Sequence, residues 1–168
     1  MDLLTPEVRE LSERSVLCWL ATVSPNGQPN VSPKEVFCAG GANEFLIAHI
    51  ASPGSLSNLR GQPKVCVSFV DVFSQKGFKL QGRGQIVEAS DARFANVAPA
   101  LQDMAGPKFA VRAVFLVEVT KVQVILAPSY RLFPDVTEAE QRQAAYLTYG
   151  VRPAEEHGSV SGQRIIPG

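Results

Sequence analysis

The sequence predicts a mainly β protein with inserted helices, an α+β chain whose strands form a small antiparallel barrel of six or seven strands. Two observations predict it. Short runs rich in Val, Leu, Ile and Phe recur between Val16 and Leu126, and Gly, Pro, Asn and Ser turn signals separate them. Helical signals fall between some of these runs and after the last one. The 168 residues suffice for one domain with its own core, assigned to residues 1–150.

In chain order, Thr5-Pro6-Glu7 supplies an N-cap, a proline at the first helical position and an acidic first turn, so a short helix to about Ser12 is expected. Val16 to Val23 is apolar on both parities and reads as a strand buried on both faces. Ser24-Pro25-Asn26-Gly27 is a turn, with Asn-Gly suited to positive φ. Gln28 to Cys38 returns as one strand, in a hairpin with the first. Pro29 and Pro33 cannot donate to a ladder, which puts this strand at an edge or opens it at a bulge. After a turn at Gly40 to Asn43, Glu44 to Ile50 is the third strand. Ser52 caps a short helix from Pro53 to Gly61. Lys64 to Val72 and Gly77 to Glu88 are further strands, the former with Val65, Val67 and Phe69 on one face. Ser90-Asp91 caps a helix to about Gln102, and Gly106-Pro107 ends it. Val111 to Leu126 reads as one bent strand or two. Thr137-x-x-Glu140 is a capping box, and its helix ends near Tyr149 with Gly150 as the left-handed cap. Residues 151–168 lack periodicity and read as a tail, or as an arm on a partner subunit.

Composition excludes several classes. The 16 basic and 16 acidic residues cancel, which argues against a nucleic-acid footprint and against an electrostatic membrane anchor. No apolar run approaches the ~20 residues that span a bilayer. The charged N-terminus has no apolar core of a secretory signal, so a cytoplasmic protein is expected. Cys18, Cys38 and Cys66 are far apart and odd in number, which favours buried free thiols over a disulfide. His49 and His157 have no partners at metal-ligand spacing, so no metal site is expected.

The chemistry-bearing residues leave a possible anion site. Gly82-x-Gly84 lies inside a strand pattern and lacks the third glycine of a dinucleotide fingerprint. Ser52-Pro53-Gly54-Ser55 sits where a strand gives way to a helix, whose first turn has unpaired N–H groups and a positive dipole end. Taken alone, the pattern favours Ser52 as an ordinary cap and Ser55 as a solvated surface residue. Alternation puts Asn30, Ser32 and Lys34 on one strand face and Val31, Pro33 and Glu35 on the other. Lys34 then reaches either a ligand at the barrel mouth or only solvent, where it discourages edge pairing. Gln75-Lys76-Gly77-Phe78-Lys79 is a glycine-permitted close approach flanked by cations, or a plain hairpin turn. Tyr130 and Arg131 form an aromatic-guanidinium pair able to stack on a planar ring, or a loop packed on the barrel.

In order, Ala21-Thr22, Gly27, Pro29, Ser32-Pro33, Ala48, Ser52, Asn58-Leu59 and Pro63-Lys64-Val65 resemble the split-barrel flavoproteins related to pyridoxamine 5'-phosphate oxidase. The resemblance covers roughly Leu11 to Glu88 and continues loosely through PSYRLFPD and the last helix. It implies a split antiparallel barrel that binds FMN in a groove between the two barrels of a homodimer. It places Ser32, Pro33 and Lys34 beside the flavin or its phosphate, Ala48, His49 and Ile50 along the ribityl chain and ring, and Ser52 and Ser55 at the phosphate. Gln75, Lys76 and Lys79 fall near the flavin, from the same chain or the partner. Many relatives carry a phosphate-binding lysine where this chain has Ser55, so Lys34, the helix N-terminus and Lys76 are expected to meet the charge instead. The Arg/His motif that grips pyridoxamine phosphate has no equivalent here. The leading expectation is an FMN-dependent oxidoreductase acting on a small molecule. A flavin carrier without catalysis, and a split-barrel binder of haem or deazaflavin, are the alternatives.

Overall fold

The computed structural model describes residues 2–153. The expected tail therefore lies, from residue 154 onward, outside the described residues. Seven strands form one sheet: β1 (Cys18–Val23), β2 (Pro29–Lys34), β3 (Phe37–Ala39), β4 (Glu44–His49), β5 (Lys64–Asp71), β6 (Lys76–Glu88) and β7 (Ala113–Leu126). All pairs are antiparallel, in the order β2-β1-β5-β6-β7-β4-β3. The helices are α1 (Pro6–Arg14), α2 (Pro53–Gly61), α3 (Phe94–Val97), α4 (Pro99–Ala105), α5 (Ser129–Leu132) and α6 (Glu138–Tyr149).

The prolines of β2 do sit on an edge strand. The expected single strand Gln28 to Cys38 is instead divided by a bend at Glu35-Val36. Its two halves lie on opposite edges of the sheet, so this one segment draws the edges together and curls the sheet into a split barrel. Val36 keeps contact with the far edge by accepting from the Ala48 N–H at 3.0 Å. The run from Val111 is one continuous strand. A bulge beside Gln81/Gly82 bends its pairing with β6.

Alternation divides the core in two. Leu20, Phe37, Phe45, Ile47, Val67, Phe69, Leu80 and Phe115 fill the barrel interior. Leu46, Val87, Val114 and Leu116 point the other way and are covered by Leu101 and Ala105 of α4. The expected helix from Ser90-Asp91 to Gln102 is in fact two short ones, because Pro99 cannot continue α3 and opens α4 instead. Asp91 closes a local turn, accepting from the Arg93 N–H at 2.9 Å.

The reading of the first strand as buried on both faces is corrected. Cys18, Leu20 and Thr22 face the core, whereas Trp19 is 46% and Val31 of β2 57% exposed. Helix α4 does not extend over this half of the sheet, so among the described residues only one face of β1 is covered. No helix among the described residues is long and apolar enough to cross a membrane.

Candidate functional site

The site is built where β2, β4 and α2 meet. Thr22 of β1 is buried, and its Oγ1 accepts from Asn58 Nδ2 of α2 at 3.0 Å and from Asn30 Nδ2 of β2 at 3.3 Å. Leu59, on the same helix, enters the core. Gly84 of β6 leaves room for it, since a Cβ there would collide with the Leu59 side chain. Helix α2 is thereby fixed with its N-terminus beside the end of β2.

At that junction Lys34 is only 6% exposed. Its Nζ donates to Ser32 Oγ at 2.9 Å and to Ser52 Oγ. Ser52 occupies the N-cap position of α2 but makes no side-chain capping bond, because its hydroxyl is turned to the lysine. Ser55, in the first turn of α2, is buried rather than solvated. Among the described residues no carboxylate forms an ion pair with Lys34. Burial depresses its pKa below the ordinary lysine value. A cation held on two hydroxyls beside a helix N-terminus is arranged to receive an anion.

Next to this cluster lies an open cleft of about 200 Å³, lined by Pro33, Lys34, Glu35, Val36, Ala48, Ile50, Ala51, Ser52 and Phe109. Its wall is mainly apolar apart from Lys34, Ser52 and the acidic Glu35. Phe109 lies in the loop between α4 and β7, which Gln102 clamps. The Gln102 Nε2 donates to the carbonyls of Gly106 at 3.2 Å and Phe109 at 2.9 Å, and its Oε1 accepts from the Val111 N–H at 3.1 Å. The same loop delivers Arg112, whose N–H donates to the His49 carbonyl at 3.0 Å. Sequence reasoning missed both Phe109 and Arg112. The only local signal was the Gly106-Pro107 break, which says nothing of where the following residues go.

Of the predicted trio, Ala48 and Ile50 reach the cleft. His49 points to the opposite face of β4 and stacks on Phe115 with ring centroids 5.1 Å apart. Its Nδ1 is buried with no hydrogen-bond partner among the described residues. Burial first, then the nearby charges of Lys34, Arg112 and Arg60, lower its pKa and keep the ring neutral.

The remaining candidates do not line this cleft. Lys76 pairs with Glu138 of α6 at 2.8 Å and lies 5.0 Å from the Tyr130 ring centroid. Tyr130 donates from its hydroxyl to the Ser74 carbonyl at 2.8 Å, and Arg131 beside it is exposed. Gln75 takes a positive φ of 54° in the turn between β5 and β6, and Lys79 is exposed on the outer face of β6. Gly77 enters β6 where a Cβ would strike the Phe69 backbone, so the close approach read from the sequence is to the neighbouring strand.

The model of the pyridoxamine 5'-phosphate oxidase family matches residues 4–126. The chain belongs to this family. Solved structures that share the fold are distant in sequence. HupZ of Group A Streptococcus is 23% identical with a TM-score of 0.63, over 73% of this chain and 94% of its own. An FMN-binding protein of Syntrophomonas wolfei is 15% identical with a TM-score of 0.62, over 72% and 85%. A heme-binding protein of Mycobacterium smegmatis is 18% identical with a TM-score of 0.56, over 71% and 52%. No curated protein matches. At these identities the pyridoxamine 5'-phosphate oxidase family establishes the split barrel and leaves the ligand to be argued from the site.

Proposed function

We propose that the cleft binds FMN, and that the protein is an FMN-dependent oxidoreductase acting on a small molecule as a homodimer. The observation that carries this is Lys34, a buried cation in no ion pair among the described residues, bound to Ser32 and Ser52 at the start of α2. A phosphomonoester would take the place of solvent against that ammonium and the first-turn N–H groups. The apolar strip from Pro33 through Ala48 to Ile50 suits the ribityl chain and the edge of the ring. The Syntrophomonas wolfei protein, with the same fold, is described as FMN-binding.

The fit is half a site. About 200 Å³ is below the roughly 300–1,000 Å³ of a typical ligand pocket, so a second wall is needed. Trp19, paired across the ladder with Pro33, and Val31 are exposed beside the cleft. A second copy packed on that face would supply the wall and cover the bare strands. The flavin would supply hydride chemistry when bound, and this chain's residues would bind, orient and shield it. Pro33, Val36 and Phe109 would exclude water from one face. Lys34 and Ser52 would hold the phosphate end, which fixes how far the ring extends along β4.

The test is purification with added flavin, followed by affinity measurement from quenching of flavin fluorescence. FMN should bind more tightly than riboflavin. Lys34→Ala should weaken FMN by about 1.5–3 kcal/mol, the range for hydrogen bonds to a charged group, and riboflavin far less. Equal weakening of both, or a haem or deazaflavin spectrum in the purified protein, would overturn the FMN assignment. Turnover with reduced nicotinamide and an artificial acceptor separates an oxidoreductase from a carrier.

A further inference from the structure

The phosphate of FMN carries up to two negative charges, while the Lys34 cluster offers one cation. Lys76, expected to help, is bound to Glu138 within its own chain. Ser55 stands in the helix turn as a neutral group. The deficit directs attention to the loop between α4 and β7. Arg112 there is exposed, and among the described residues it has no ion-pair partner. Its backbone is pinned to the end of β4 by the 3.0 Å bond to the His49 carbonyl, and Ala113 continues in register opposite His49. Three residues beyond His49 stands Ser52, the partner of Lys34. Gln102 holds the loop through three hydrogen bonds, so both Phe109 and Arg112 are presented at this end of the barrel without further ordering.

We infer that Arg112 is the second cation of the anion site, closing over the ligand phosphate from the side opposite Lys34. This rests on the proposed FMN reading of the cleft and adds to it a residue from outside β2, β4 and α2. The field of Arg112 acts at His49, as do those of Lys34 and Arg60, in keeping with the 3.0 Å bond between the Arg112 N–H and the His49 carbonyl. Arg60 is a poorer candidate because it pairs with Glu88 at 3.2 Å. A guanidinium also offers paired donors suited to two phosphate oxygens, which a lysine at this position would not. Phe109, three residues earlier on the loop, lines the cleft that the flavin occupies, so one clamped loop contacts both ends of the ligand.

The experiment compares dissociation constants for FMN and riboflavin in the wild type, Lys34→Ala, Arg112→Gln and Arg112→Lys, each checked for an unchanged circular dichroism spectrum. The wild type should prefer FMN, and Arg112→Gln should reduce that preference about tenfold, the order expected for one charge-assisted hydrogen bond. Arg112→Lys should recover part of it. The dependence of FMN affinity on salt should be shallower in Arg112→Gln than in the wild type. If the wild type prefers FMN and Lys34→Ala abolishes the preference while Arg112→Gln leaves it intact, this inference falls and the FMN reading stands. Equal weakening of FMN and riboflavin by Arg112→Gln would also overturn it, as damage to the loop rather than loss of a charge contact. A wild type without preference for FMN would overturn both.

Discussion

Lys34 is costly in the absence of a ligand. Burying an ammonium on two hydroxyls, without a counter-charge, loses more hydration than those contacts return. Because burial lowers its folded pKa below 10.5, the unfolded chain binds more protons between the two values. Stability should therefore rise with pH through that alkaline window and be reduced below it. Lys34→Met, similar in volume, should raise the melting temperature of the ligand-free protein at neutral pH while abolishing its preference for FMN. A lowered melting temperature in calorimetry would show that the lysine is structurally required. The direction of this side chain was legible in the sequence, because alternation from Asn30 fixes its face. Its burial was not, since that depends on α2 folding across from distant residues. Arg112 was illegible for a related reason: an arginine after a Gly-Pro break has no periodic neighbours to give it a place. Cys66, read like Cys18 as a buried thiol, is only half-buried, and so is Cys38. Burial still pushes its thiol pKa up, so both should resist thiol reagents until denaturant is added. Rapid labelling of the native protein at either would contradict this.

At the scale of elements, α5 and α6 lie beyond the matched family region; ion pairs bind α6 to Asp71 and Lys76 where β5 ends and β6 begins, and the Tyr130 hydroxyl of α5 donates to the Ser74 carbonyl between them. Asp71 accepts from Arg142 of α6 and from Arg14 of α1, at 2.6 and 3.0 Å. Burial would raise its pKa, but the Ser74 N–H, Arg142 and the Phe73 N–H outweigh that and hold it at about 2. Since the folded pKa lies below the unfolded 3.8, this contribution is complete above about pH 4 to 5 and is lost as the pH falls through about 2. Asp71→Asn should cost about 1–2 kcal/mol near neutrality, discounted for solvent screening, and should flatten the loss of stability between pH 4 and 2. Acid titrations followed by circular dichroism would reveal either. An unchanged acid profile would mean that α6 is held by Phe73 against Tyr146 rather than by charge. The capping box of α6 and Gly150 were readable, because caps are local patterns. The docking of α6 was not, since its ion pairs join residues more than 60 positions apart and leave no trace in any window of sequence.

At the scale of the whole molecule, the sheet is asymmetrically dressed. Helix α4 covers Leu46, Val87, Val114 and Leu116, whereas Trp19 and Val31 near the other edge remain exposed. The doubly apolar pattern of the first strand signals a face needing cover, and among the described residues Trp19 is left without one. A contiguous exposed apolar strip beside a half-formed cleft is most simply satisfied by a second copy, which would bury the strip and complete the ligand wall together. The two effects can be tested jointly. The wild type should sediment as a dimer at micromolar concentration. Trp19→Glu places a charge in the buried centre of the proposed interface and should shift the protein to monomer. The same substitution should weaken FMN and riboflavin alike, because the lost wall contacts the ring rather than the phosphate. That pattern is the opposite of Lys34→Ala, which should discriminate between the two ligands. A wild type that sediments as a monomer, or a Trp19→Glu protein that stays dimeric with unaltered flavin affinity, would remove this face from both the interface and the site.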